Sequence, residues 1–338
     1  MDTLKNLIRS AYYAVGGVPG MDLLIRPWRG TGAILCYHRV LPRKQMVSDS
    51  SPNRSLVVSL ERFEEQVRTL SENYQVVSMD EILSHTRRST GAFVVALTFD
   101  DGYRDNLEHA LPILQKYKVP ATIYMTTRFL VGDTTMWWRE LWELLQSSNE
   151  FSVILHGKPK SWKIGSRRLK IQCFKDLRHL LLNGSKESFL DLSEQFKTGG
   201  SSRNYGDLCL SMEDILELAK GGLVTIGSHT HNHYSLAKLK DYEVLEEYIQ
   251  SKKILEEVIG KPVRHLAYPY GTHQEAGRRE YLLAKEAGFD TGVTTVNGGI
   301  FPGSNPLALP RLEVRDHVTS KRLGILLSGF AGMLGRGL

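Results

Sequence analysis

The sequence predicts an α/β fold organised around a largely parallel sheet or barrel. Three observations carry that expectation: short β-like runs alternate with helical patterns, acidic and histidine residues gather where apolar runs end, and one long segment interrupts the alternation. Alternating patterns of this kind mark βα units, in which a helix connects each parallel strand to the next. A length of 338 residues and 41% hydrophobic content suit one large α/β domain or two modest ones.

The elements follow in chain order. In residues 1–30, Leu4, Leu7, Ile8, Ala11, Tyr12 and Val15 share one helical face while Lys5 and Arg9 lie off it. An amphipathic segment is expected there, docked on the protein or resting on a membrane surface. Lys5, Asn6, Arg9 and Ser10 break the apolar core that a secretory signal needs, so a cytoplasmic protein is expected, with peripheral attachment to the inner face of the membrane as an option.

The β-like runs are GAILCYH (32–38), YQVVSM (74–79), FVVALTF (93–99), ATIYMTT (121–127), LVTIGSH (223–229), HLAYPY (265–270) and FDTGVTT (289–295). Between them ERFEEQVRTLSE, NLEHALPILQKY, EVLEEYIQSKKILEEVIG and RREYLLAKEAG carry apolar positions at helical spacing and should cover the strands. Residues of about 137–210 break the rhythm and read as a mainly helical insertion, ending in the Gly/Ser-rich stretch KTGGSSRNYG. Residues 319–338 read as an apolar, glycine-rich tail too short to span a bilayer.

Net charge is +6, and its placement is uneven: eight Lys or Arg residues and one acid, Asp176, lie between Gly157 and Arg178. Such a segment is a solvated basic face, or it attracts an anionic lipid surface or a phosphate-bearing substrate. No helix-turn-helix pattern or aromatic interleaving accompanies it, so nucleic acid is not expected as a partner. Cys36, Cys173 and Cys209 are far apart, without CxxC spacing, and suggest neither a disulfide framework nor a cysteine-rich zinc site.

Chemistry concentrates in three segments. ALTFDDGYRDN (96–106) ends an apolar strand on Asp100 and Asp101, at the strand end where parallel α/β folds place their sites. A DDG turn could also merely cap the next helix. VTIGSHTHNHYSL (224–236) is again an apolar strand, running into His229, His231 and His233. His229 and His233, four apart, can aim both imidazoles at one point on a turned segment, and imidazoles with a carboxylate make a zinc-type site open to water. His231 is expected not to be a ligand. RHLAYPYG (264–271) turns sharply at Pro269 and Gly271, where the Tyr270 N–H could stabilise an oxyanion.

Taken together, TFDDGY, the HTHNH segment and AYPYG, in this order, resemble the first three motifs of the polysaccharide deacetylase family, also called the NodB-homology or carbohydrate esterase 4 type. ILCYHRVLP (34–42) and LALPRLEV (307–314) resemble its bacterial branches, and the resemblance covers roughly residues 31–318, which it implies as the main domain. The resemblance implies a distorted (β/α) barrel of the NodB-homology type with the mainly helical insertion. It also implies Asp100 as general base and Asp101, His229 and His233 as ligands of a divalent metal ion, zinc being favoured over cobalt, nickel or iron.

Two departures from the family pattern stand out. Ala267 occupies a position where many members carry an arginine that tunes the base, and Arg311 is the candidate replacement, with a structural pair to Glu313 or Asp316 as its alternative. The family's late histidine, the general acid, has no clean match: His317 is off by one, and His38, ending the first strand, is preferred for opening onto the same barrel mouth. Trp137, Trp138 and Trp142 could stack on sugar rings or belong to a core. The expected activity is removal of N-acetyl groups from an amino sugar in a glycan or a lipid-linked glycan precursor. The alternatives are a non-catalytic carbohydrate-binding protein on the same fold and an O-acetyl sugar esterase.

Overall fold

Continuous apolar runs make strands buried on both faces, as parallel strands covered by helices require. The computed structural model describes residues 29–48, 52–86, 92–131, 136–197 and 205–329; the expected amphipathic segment up to residue 28 and the last nine residues of the tail lie outside these. The first half of the main domain comprises β1 (Gly32–Tyr37), β2 (Arg39–Leu41), β3 (Val57–Ser59), α1 (Leu60–Asn73), β4 (Gln75–Val76), α2 (Met79–Thr86), β5 (Val94–Phe99), α3 (Leu111–Tyr117) and β6 (Ala121–Met125). The insertion follows as α4 (Trp137–Ser147), β7 (Glu150–Leu155), β8 (Lys158–Lys163), α5 (Arg167–Asn183) and α6 (Lys186–Glu194). The chain then returns through α7 (Met212–Lys220), β9 (Val224–Ser228), α8 (Asp241–Ile259), β10 (His265–Ala267), α9 (Arg278–Glu286), β11 (Thr291–Val293), β12 (Leu312–Glu313) and α10 (Ser320–Leu327).

The main sheet runs β11-β10-β9-β6-β5-β1-β12, with β4 paired to the start of β5, and its pairs are parallel. Its two ends meet on one short segment. Leu309 bridges Val293 of β11 in parallel, while Leu312 and Glu313 pair with Leu35 and Cys36 of β1. The sheet is thereby curled into the expected distorted (β/α) barrel.

Alternation along the strands sorts side chains between two cores. Ile34, Val94, Ala96, Tyr124, Ala267, Val293 and Leu309 cluster inside the curl, whereas Leu35, Val95, Leu97, Ile123 and Leu266 belong to the larger core beneath the helices. Gly227 of β9 is required by close approach: a Cβ there would stand 2.5 Å from the Tyr124 ring that fills the interior.

One expectation is extended and two are revised. The insertion is mainly helical, as expected, but β7 and β8 add an antiparallel hairpin in which Leu155 pairs with Lys158. His156 and Gly157 between them have φ of 50° and 74°, the double positive φ that a two-residue hairpin turn needs. The strands expected through residues 270 and 295 stop at Ala267 and Val293, as the chain turns at Pro269 and at Tyr270, whose φ is 61°. The start of the expected tail is core structure: Thr319 caps α10 by accepting from Arg322 N–H, and Leu323 and Leu327 are buried in the main core. Among the described residues no helix is long and apolar enough to cross a membrane.

Candidate active site

β5 delivers the two aspartates to the mouth of the barrel, and the backbone then turns. Asp100 still follows the strand, its N–H donating to Tyr37 O, but Asp101 and Gly102 both have positive φ, 75° and 72°. This break lets adjacent carboxylates serve one site. Of the six non-glycine residues with positive φ among those described, Asp101, Thr230, His233 and Tyr270 all lie here. Left-handed backbone in such residues costs of order 1–3 kcal/mol each and is characteristic of functional sites.

Asp101, His229 and His233 converge. Asp101 Oδ1 lies 3.4 Å from Nε2 of each histidine, and all three residues are buried. That separation is long for a hydrogen bond, yet it suits two ligands of one ion: tetrahedral bonds of about 2.0–2.1 Å place ligand atoms ~3.3–3.4 Å apart. His229 Nδ1 stands 2.7 Å from the Ala267 carbonyl. A carbonyl can only accept, so Nδ1 carries the proton and Nε2 is the nitrogen left to face an ion. Burial lowers this ring's pKa, but Asp101 and Asp100 outweigh it and raise it above the usual imidazole range, so an ion there would compete with a proton on Nε2. Burial lowers His233 below the usual imidazole range, which favours its neutral form. For Asp101, the two imidazoles outweigh the effect of burial and hold the carboxyl well below its ordinary range. The donor set therefore fits a divalent ion such as zinc.

Asp100 points the other way, into the curl. Both its oxygens are gripped by the guanidinium of Arg311, Nη1 to Oδ1 at 2.7 Å and Nη2 to Oδ2 at 2.6 Å. Arg311 is completed by Thr98 Oγ1 at 3.1 Å and the Thr294 carbonyl at 2.9 Å. Burial pushes the Asp100 carboxyl up, but Arg311 overrides it and holds the group at about 2. The alternative partners proposed for Arg311 are engaged elsewhere, Glu313 by Arg315 and Asp316 by Ser59.

A cavity of about 300 Å³ opens over these groups, lined among others by His38, Asp100, Asp101, His229, His233 and Tyr270. His38 is on its wall; His317 is not among its lining residues. Tyr270 stands at the rim with its ring 4.8 Å from that of His233, and its N–H finds no acceptor among the described residues. Trp137 and Trp138 line the cavity while also belonging to the insertion's core. Trp142 belongs to that core alone, so the three tryptophans divide. His231 turns aside, its Nδ1 2.9 Å from Thr127 Oγ1.

Several supporting residues were not anticipated from sequence. Cys36 directs its thiol to Asp100 Oδ2 at 3.6 Å. Asp105 accepts from Arg39 Nε and Val40 N–H, and Asn106 Nδ2 donates to the His38 carbonyl, so the residues after DDG anchor the backbone at His38 and just after it. Glu247 of α8, 5% exposed, accepts from the N–H groups of His231 and Asn232 and from Asn232 Nδ2. It thus holds the turn between the two converging histidines.

The family model for polysaccharide deacetylase matches residues 87–163 and 193–292, more than half of the chain. The poly-β-1,6-N-acetyl-D-glucosamine N-deacetylase of Staphylococcus aureus is 23% identical over 300 residues, spanning 83% of this chain and 78% of that protein. Among solved structures, the deacetylase PplD of Streptococcus pyogenes, in complex with acetate, superposes with a TM-score of 0.57 at 19% identity, over 87% of this chain and 97% of the other. IcaB from Ammonifex degensii gives 0.55 at 21% identity, over 88% and 97%. These likenesses extend to the fold.

Proposed function

Because the chain belongs to the polysaccharide deacetylase family, hydrolases of carbon–nitrogen bonds, we propose that it removes N-acetyl groups from an amino sugar with the help of a divalent metal ion, zinc being favoured. The observation that carries this reading is the convergence of Asp101, His229 and His233 beside an Asp100 already paired to Arg311 in one cavity.

Asp101 and the Nε2 atoms of His229 and His233 would hold the ion. When bound, a divalent ion supplies Lewis acidity, which polarises the acetyl carbonyl and makes water acidic enough to ionise near neutral pH. The residues of the chain do the rest. Asp100, kept ionised by Arg311, accepts the proton of the attacking water on a carboxylate oxygen. The Tyr270 N–H, without an acceptor among the described residues, would donate to the oxygen on which negative charge develops. His38, on the cavity wall, carries a ring nitrogen that can protonate the departing amine. Trp137 and Trp138 offer apolar faces to the sugar ring and keep water from one side of it.

In the finer reading the acetamido sugar belongs to a glycan or its lipid-linked precursor, met at the inner face of the membrane. The positive charge concentrated between Gly157 and Arg178 supports that choice. The test is acetate release from N-acetylglucosamine oligomers and lipid-linked acetamido sugars, with metal content measured on the same protein. Wild type should release acetate, lose it to a chelator and regain it with zinc or cobalt, and Asp100→Asn should bind sugar without releasing acetate. Sugar binding with no acetate from any substrate would favour a binding module instead. Release from O-acetyl sugars alone would change the bond cleaved.

A further inference from the structure

Arg178 stands where the insertion meets the cavity. It lines the cavity wall, and its guanidinium lies 5.5 Å from the centre of the Tyr270 ring. It is also the last member of a row. At 3.6 residues per turn, Arg167, Arg168, Lys175 and Arg178 of α5 fall within an arc of about 100° on one side of the helix. At 1.5 Å per residue the row extends ~16 Å from the cavity rim. All four side chains are exposed.

The row is electrically uncompensated. None of its four cations forms an ion pair among the described residues, whereas on the main domain Arg39, Arg264, Arg279, Arg311 and Arg315 each pair with an acid. The one acid of the segment, Asp176, falls about 160° around α5 from Arg178 by the same periodicity. Its carboxylate is occupied there by Trp162 Nε1 at 3.2 Å and Gln172 Nε2 at 2.7 Å. Hairpin β7–β8 packs on that far side through Trp162, so Lys158, Lys160 and Lys163 belong to a different surface.

We propose that the cavity-side row of α5, from Arg178 outward through Lys175 to Arg168 and Arg167, binds oxyanion groups on the part of the substrate that extends beyond the reacting sugar. This inference rests on the deacetylase reading and deepens it by naming the substrate class: acetamido sugars carried on a phosphate- or carboxylate-bearing arm. Guanidinium groups pair bidentately with either oxyanion, and a row that begins at the cavity wall holds the arm while the sugar occupies the site. Such binding acts through KM and weakens as salt screens the exposed charges.

The test uses the full-length, metal-loaded protein and three matched oligosaccharides: a neutral N-acetylglucosamine oligomer, the same oligomer bearing a reducing-end diphosphate, and an oligomer alternating N-acetylglucosamine with glucuronate. One anionic arm or both should exceed the neutral oligomer about tenfold in kcat/KM at low salt, with the advantage in KM and shrinking at high salt. The arm that gains identifies the oxyanion as phosphate or carboxylate. Arg167→Gln/Arg168→Gln/Lys175→Gln should reduce the anionic-to-neutral ratio below about threefold, while Lys158→Gln/Lys160→Gln/Lys163→Gln should leave the ratio unchanged. Equal kcat/KM for all three substrates, or a preference that survives the α5 substitutions, overturns the row. A ratio near one with α5-dependent sedimentation on anionic phospholipid vesicles also overturns it, assigning the charge to a bilayer. If no oligosaccharide releases acetate, the deacetylase reading fails separately, and calorimetric affinities for the same oligosaccharides still decide the row by the same ratio.

Discussion

Replacing Arg311 by methionine would strip Asp100 of the guanidinium that binds both its oxygens. The carboxylate is 2% exposed, and its remaining side-chain hydrogen bond is the Cys36 thiol at 3.6 Å. Removing one member of a buried pair costs about 3–5 kcal/mol, because the other charge is left uncompensated. An unfolding entropy of about 2.1 cal/mol/K per residue gives ~0.7 kcal/mol/K for a chain of this length, so the expected fall in Tm is about 4–7 °C. Asp100→Asn, which strands the guanidinium instead, should cost a comparable amount. The double variant should be more stable than the sum of the two losses predicts by at least ~2 kcal/mol. Thermal and urea unfolding of the four proteins close the cycle. Additive losses, within about 0.5 kcal/mol, would show that the two groups are not coupled and would remove the reason for assigning Arg311 the task of keeping Asp100 ionised.

Other perturbations follow from the same geometry. Glu247→Gln puts an NH₂ or a weaker acceptor against the His231 and Asn232 amides, and should lower zinc affinity about 10–100-fold in a chelator competition while the metal-free protein keeps its secondary structure. Gly227→Ala drives a methyl group into the Tyr124 ring and should cost about 1–3 kcal/mol in urea unfolding; a neutral effect would mean that the barrel interior is looser than described. His265 Nε2, 3.0 Å from Asp80 Oδ1, donates to that carboxylate and holds it below its usual range. Stability from this pair is complete above the unfolded carboxyl pKa of about 3.9 and is lost as pH falls through the lower folded value. Asp80→Asn should therefore flatten the acid limb of the Tm-against-pH curve below about pH 4.

Strands β1, β5, β6 and β9 are legible in sequence because burial leaves predominantly apolar runs, and their polar ends mark the mouth of the barrel. The histidine pair is legible because its members are close in the chain. Glu247 is not: it sits among Glu243 and Glu246 on an amphipathic helix, and only the fold distinguishes the glutamate that meets an amide turn from one facing solvent. The clamp of Asp105 on Arg39 joins residues 66 apart, and its acid reads locally as an ordinary helix-start residue. The hairpin was hidden by its turn, since His156 adopts a φ of 50° that histidine signals far less strongly than asparagine or glycine would. In the sequence Arg311 stands out only as a substitute for a missing arginine. Its true partner lies 211 positions away, where local pattern carries no information.

The closure of the sheet on residues 309–313 also sets a schedule. β1 is made early, but one of its edges waits for Leu312 and Glu313, roughly 280 residues later, and ribosomal synthesis at about 5–20 residues per second needs ~14–55 s to supply them. Through that interval a six-residue apolar strand stands with an unpaired edge, open to pairing with another nascent chain. The residue that fixes Asp100 arrives on the same late segment. Competence for chemistry and protection from aggregation are therefore acquired together, in the last step of assembly, and a chain terminated before Arg311 would possess neither.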